Sequence, residues 1–91
     1  MSTTVRIPTA LRTLTAGASE VSVDGSTVGE ILKSLEAAHP GMAERLFDDA
    51  GALRRFVNVF VADEDIRFLD GLSTPVTDGQ AVSIIPAVAG G

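Results

Sequence analysis

The sequence predicts an α+β domain in which a mixed sheet wraps around one principal helix. Three observations carry that expectation: polar–apolar alternation near both ends of the chain, one strongly amphipathic segment between them, and turn signals such as Asp24-Gly25 and Asp78-Gly79 that set the elements apart. With 91 residues the chain makes a single domain near the lower end of what folds alone. An enclosed active-site cavity in addition to the core is therefore not expected.

Taken in order, Thr3–Ile7 alternates, places Val5 and Ile7 on one side and ends at Pro8, which reads as a first strand. Leu11 and Leu14 continue the apolar anchoring through a turn region that reaches Gly17. Glu20–Val23 alternates again and stops at Asp24-Gly25, so the two strands form an N-terminal hairpin. Thr27 stands three residues before Glu30, the capping-box spacing in which each side chain satisfies the other's free backbone N–H. Val28, Ile31, Leu32 and Leu35 then share one helical face, with Lys33, Ser34 and Glu36 toward water. His39-Pro40-Gly41 ends that helix, because proline restricts the residue before it and glycine releases the chain direction.

Met42–Phe47 reads as a short second helix, followed by a polar loop at Asp48–Gly51. Arg54–Val61 is the strongest strand, with Val57, Val59 and Val61 toward the core and Phe56 and Phe60 flanking Asn58 on a partly exposed face. A turn at Asp63-Glu64-Asp65 leads to a short strand over Ile66-Arg67-Phe68. Asp70-Gly71 and Thr74-Pro75 mark loops, and Asp78-Gly79 turns the chain into a last strand, Ala81–Ile85, closed by Pro86. The expected order is strand, strand, helix, strand, short strand, strand.

Composition excludes several kinds of chemistry. No cysteine is present, which removes disulfides, thiolate metal sites and cysteine nucleophiles together. The single histidine, His39, has no second ligand at metal spacing and suits a helix C-terminus. Serines and threonines are plentiful, yet no nucleophile elbow or phosphate-cradling glycine pattern accompanies them. Asp63, Glu64 and Asp65 are adjacent in a turn and point apart, so they read as a solvated loop rather than as paired acids. The net charge of −5 repels phosphate backbones, and Arg54-Arg55 is the one local basic pair, so nucleic acid is not an expected partner. The first twenty residues have no apolar h-region, and the apolar run Ile84–Ala89 is broken by Pro86. No membrane role follows, and a cytoplasmic location is the expectation.

The chemistry concentrates at the C-terminal end. After Pro86 the chain reads Ala87-Val88-Ala89-Gly90-Gly91. Extended, these residues span roughly 17 Å at about 3.4 Å each. The two glycines lack Cβ atoms and can thread a narrow slot. A free α-carboxylate on such an arm is a poor electrophile until ATP converts it into an acyl-adenylate; sulfide transfer then yields a thiocarboxylate. Termini commonly end in small residues because they fray, but here the glycines follow directly on a predicted last strand.

The run Asp78-Gly79-Gln80-Ala81-Val82-Ser83-Ile84-Ile85-Pro86-Ala87-Val88-Ala89-Gly90-Gly91 resembles the D-G-x-x-V-x-I-x-P-x-x-x-G-G ending of the ubiquitin-like, β-grasp sulfur carriers of the ThiS/MoaD type, and the resemblance covers nearly the whole chain. Within the family, the Phe56–Asp65 segment and the ending look most like the carriers of cysteine biosynthesis. One departure stands out: many members carry asparagine after the valine that ends the third strand, where this chain has Ala62.

The resemblance implies a β-grasp domain over residues 1–86 with a flexible tail over 87–91, no bound cofactor, and a protein acted on by enzymes rather than an enzyme. It implies adenylation at Gly91 by an E1-like (MoeB/MoeZ-type) adenylyltransferase and sulfurtransferase that uses ATP. Sulfur then passes to a PLP-dependent cysteine synthase using O-phosphoserine, and a metal-dependent peptidase releases the product. Gly91 is thus the reacting residue, with Ala87, Val88, Ala89 and Gly90 as its arm. Phe56, Phe60 and Ile85 are expected to dock on the activating enzyme, since a one-helix fold covers only one side of its sheet. Three other readings stay open: a molybdopterin synthase small subunit, a ubiquitin-like modifier joined to lysines through Gly91, and an interaction module with an inert tail.

Overall fold

The computed structural model describes residues 2–54, 57–77 and 79–86. Among the described residues there are five strands: β1 (Ser2–Arg6), β2 (Glu20–Asp24), β3 (Val57–Val61), β4 (Glu64–Asp65) and β5 (Ala81–Pro86). They form one sheet in the order β2-β1-β5-β3-β4. The chain's first and last strands lie side by side and parallel, Val5 opposite Val82, whereas every other pairing is antiparallel. Helix α1 (Val28–Ala38) crosses one face, and α2 (Met42–Leu46) follows it directly. This is the β-grasp arrangement, a mixed sheet closed around one main helix.

The core is the layer between α1 and the sheet. Val28, Ile31, Leu32 and Leu35 from the helix meet Val5, Val23, Val57, Val59, Val61, Val82 and Ile84 from the strands, all buried. Each strand supplies alternate residues, as a half-covered sheet requires. Full burial of one such side chain is worth about 1.5–3 kcal/mol. Together they hold the sheet curved around the helix.

The helix starts as its sequence foretold, with one shift. Thr27 Oγ1 accepts the Glu30 N–H at 3.3 Å, but the Glu30 carboxylate reaches one residue further back than a capping box and accepts from both the N–H and the hydroxyl of Ser26, each at 2.8 Å. At the other end, Gly41 adopts φ +105°, which turns the chain into α2. Lys33 faces water as expected. Ser34 and Glu36 are only half exposed: Ser34 donates to the Asp24 carbonyl at 2.6 Å, and Glu36 accepts the Ala43 N–H at 2.7 Å, capping α2.

Between β1 and β2 the expected turn region is a 3-10 helix over Thr9–Thr15 that buries Leu11 and Thr15. Two further expectations are corrected. Arg54 does not begin the third strand: its N–H donates to the Leu46 carbonyl at 2.9 Å and its guanidinium to the Glu44 carbonyl, so it is tied to the end of α2. The short strand lies at Glu64–Asp65, and Ile66–Phe68 is a 3-10 turn. Asp65 causes the break, because its carboxylate accepts the Arg67 N–H at 2.8 Å and caps that turn.

Candidate functional site

The tail leaves the sheet from its middle strand. β5 is held by β1 through Thr4–Arg6 and by β3 along Val82–Pro86. β1 stops pairing at Arg6 opposite Ser83, so Ile84, Ile85 and Pro86 are carried by β3 alone, through Val59, Asn58 and Val57. The last three strand residues thus project past one neighbour while still registered on the other. Gly91 and the arm Ala87–Gly90 lie outside the described residues, as does Phe56.

Alternation fixes what this end of the sheet shows. Ile84 is 2 % exposed and packs in the core, while Ile85 is 48 % exposed on the outer face. Phe60 is half-buried on that same face, opposite Ser83, and Asn58 stands opposite Ile85. Of the docking residues expected from the sequence, the structure therefore brings Phe60 and Ile85 onto one uncovered surface at the root of the tail.

Sequence reading missed the cations around that root. On the β1 side, Arg6 pairs loosely with Glu20 at 3.7 Å, and Arg12 Nε donates to the Ile7 carbonyl at 3.1 Å. These two, with Pro8, Thr9 and Ile85, border a shallow depression of about 380 Å³. On the β3 side, Arg67 donates to Asn58 Oδ1 at 2.6 Å and to the carbonyl of Val57, the residue paired with Pro86, at 2.8 Å. Three of the seven basic residues in an acidic chain thus surround the tail root. No local sequence signal marks them, since they lie on three separate segments.

Elsewhere the molecule offers little chemistry. A groove of about 560 Å³ beside α1 and α2 is walled by Leu32, Phe47 and Leu72, with Glu30, Lys33 and Glu36 also in its lining. Among the described residues no three His, Asp or Glu side chains gather as a metal site, and no helix is long and apolar enough to cross a membrane. The Glu30 carboxyl is held below its ordinary pKa by the Ser26 hydrogen bonds; this is helix capping, not catalysis.

Comparison with known proteins matches this geometry. The model of the ThiS family matches residues 5–91. The sulfur carrier protein CysO of Mycobacterium tuberculosis is 52 % identical over 93 aligned positions, covering all of both chains. A crystal structure of the Amycolatopsis orientalis BexX/CysO complex contains a chain that superposes with a TM-score of 0.90 at 49 % identity, covering 98 % of this chain and 99 % of that one. Small archaeal modifier protein 3 of Haloferax volcanii is 47 % identical over 68 residues, covering 75 % of this chain and 73 % of its own.

Proposed function

The chain belongs to the ThiS family, and from that premise we propose that it is a sulfur carrier whose C-terminal Gly91 is adenylated and converted into a thiocarboxylate that donates sulfur for cysteine biosynthesis. One observation carries this reading: full-length similarity to a protein named as the sulfur carrier CysO, in a chain that keeps the Gly90-Gly91 ending.

The chemistry needs little from the carrier itself. A Gly91 carboxylate oxygen attacks the α-phosphate of ATP on an E1-like partner, and pyrophosphate leaves. A sulfide-level sulfur then attacks the acyl carbon, the bond to the AMP oxygen breaks, and AMP departs. The thiocarboxylate that remains is ionised at neutral pH and is the stronger nucleophile. A PLP-dependent synthase acting on O-phosphoserine would take the sulfur, and a metal-dependent peptidase would release the cysteinyl product. The domain over residues 1–86 supplies recognition, with residues 87–91 as the reacting arm in the cytoplasm. The Phe60–Ile85 surface, with Phe56, docks on the activating enzyme.

Intact-protein mass from the native host tests the reading. The expected result is a species heavier by the replacement of one oxygen with sulfur, together with a cysteinyl adduct when the peptidase is absent. Neither species in cells grown on limiting cysteine would sink it. The similarity to an archaeal modifier protein favours a second reading, conjugation of Gly91 to lysines of other proteins. Isopeptide-linked adducts in the same cells would support that reading instead.

A further inference from the structure

Among the described residues β4 pairs only with Phe60 and Val61, so the first residues of β3 have no described strand on their outer edge. Arg67 fills that place. Its guanidinium donates to the Val57 carbonyl at 2.8 Å, to the Arg54 carbonyl at 3.2 Å and to Asn58 Oδ1 at 2.6 Å. A guanidinium has donors only, so the Asn58 amide must turn its oxygen toward Arg67 and its Nδ2 away. Among the described residues nothing accepts a hydrogen bond from that Nδ2. Asn58 is half exposed and lies directly opposite Ile85, one pair before the strand ends at Pro86. Two amide hydrogens are thereby held, oriented and unengaged, beside the exposed isoleucine at the tail root.

We propose that Arg67 is a positioning residue that locks Asn58, and that Asn58 donates from Nδ2 to a carbonyl oxygen on the protein that activates Gly91. The fitting partner presents an apolar depression for Ile85 with a main-chain or side-chain carbonyl at its rim, next to the slot that takes the tail. Fixing the amide in advance removes the cost of ordering it on binding. A carbonyl acceptor is specified because the offered group is neutral and donates only. This inference rests on the carrier function proposed above.

The test is carrier-dependent ATP–pyrophosphate exchange by the E1-like enzyme of the same host, with full-length chain. Asn58→Asp keeps an acceptor for Arg67 but has no donor to offer. It should raise the carrier KM about tenfold with kcat almost unchanged, at an unfolding temperature no lower than that of the parent. Arg67→Met should raise KM about three- to tenfold in the parent and add nothing in an Asn58→Ala background, because it acts through Asn58. A parental KM for Asn58→Asp overturns the inference, and so does an Arg67→Met effect that persists in full without Asn58. Should Arg67→Met fail to fold, the two Asn58 variants decide alone. Absence of exchange with the parent chain would refute the carrier function itself; normal exchange with unaffected Asn58 variants refutes only this inference.

Discussion

Ala62 holds φ +50° and Asp63 φ +72°, the paired left-handed angles of a tight hairpin turn between β3 and β4. Aspartate tolerates that region because its short polar side chain bonds locally, whereas alanine pays for the clash of its Cβ with the backbone. The departure from the asparagine that many relatives of the ThiS/MoaD type carry here is therefore a strained site. Ala62→Asn should stabilise the fold by about 0.5–1 kcal/mol, read as a higher urea midpoint at unchanged slope. Glu30 makes a second prediction. Its carboxyl lies below its ordinary value of 4.5 because Ser26 donates to it twice. A folded-state value below the unfolded one means that its contribution is complete above pH 4.5 and is lost as pH falls below it. Glu30→Gln should flatten the loss of stability below that pH, measured by urea unfolding at pH 7 and pH 3; a variant as acid-sensitive as the parent would refute the assignment. Single-residue patterns exposed the Thr27–Glu30 cap, because capping has a fixed spacing. The same inspection missed the Arg67–Asn58 pair, nine positions apart, since a long side chain reaching back along a strand edge leaves no periodic trace.

Elements with one clean period were readable in advance, and those shaped by a single side chain were not. Helix α1 and the valine face of β3 appear where alternation and helical spacing put them, because burial of those faces dominates their energetics. The failures have local causes: Asp65 caps a 3-10 turn over Ile66–Phe68, and Arg54 is captured by the last carbonyls of α2. Both are hydrogen bonds from residues whose type fits strand and loop alike. The two faces of β3 then predict opposite outcomes from the same substitution. Val59 is 1 % exposed against α1, so Val59→Asp buries an unpaired carboxylate and should leave the chain unfolded. Phe60→Asp, on the half-exposed face, should keep the circular dichroism of a folded domain yet fail to be adenylated by the activating enzyme. Unfolding of the Phe60 variant would assign Phe60 to the core, and normal adenylation would remove it from the docking surface.

Across the whole molecule, the parallel pairing of β1 with β5 joins residues near both chain ends, and this long-range contact is what made the sheet order unreadable from local pattern. Turn signals reveal which strands form hairpins, but nothing in Thr4 or Val82 declares that they will be neighbours. The pairing has a mechanical consequence for the proposed carrier. It makes β5 the central strand, clasped on both sides, so pulling or docking at the tail loads the middle of the sheet rather than a loose edge. Every buried apolar residue described belongs to one cluster within Val5–Ile84. Deletion of Gly90 and Gly91 should therefore leave the thermal midpoint of unfolding unchanged, while abolishing the oxygen-to-sulfur mass gain and all carrier-dependent ATP–pyrophosphate exchange. A lowered midpoint would mean that the terminal glycines pack against the domain, and sulfur loading of the shortened chain would remove Gly91 as the reacting residue.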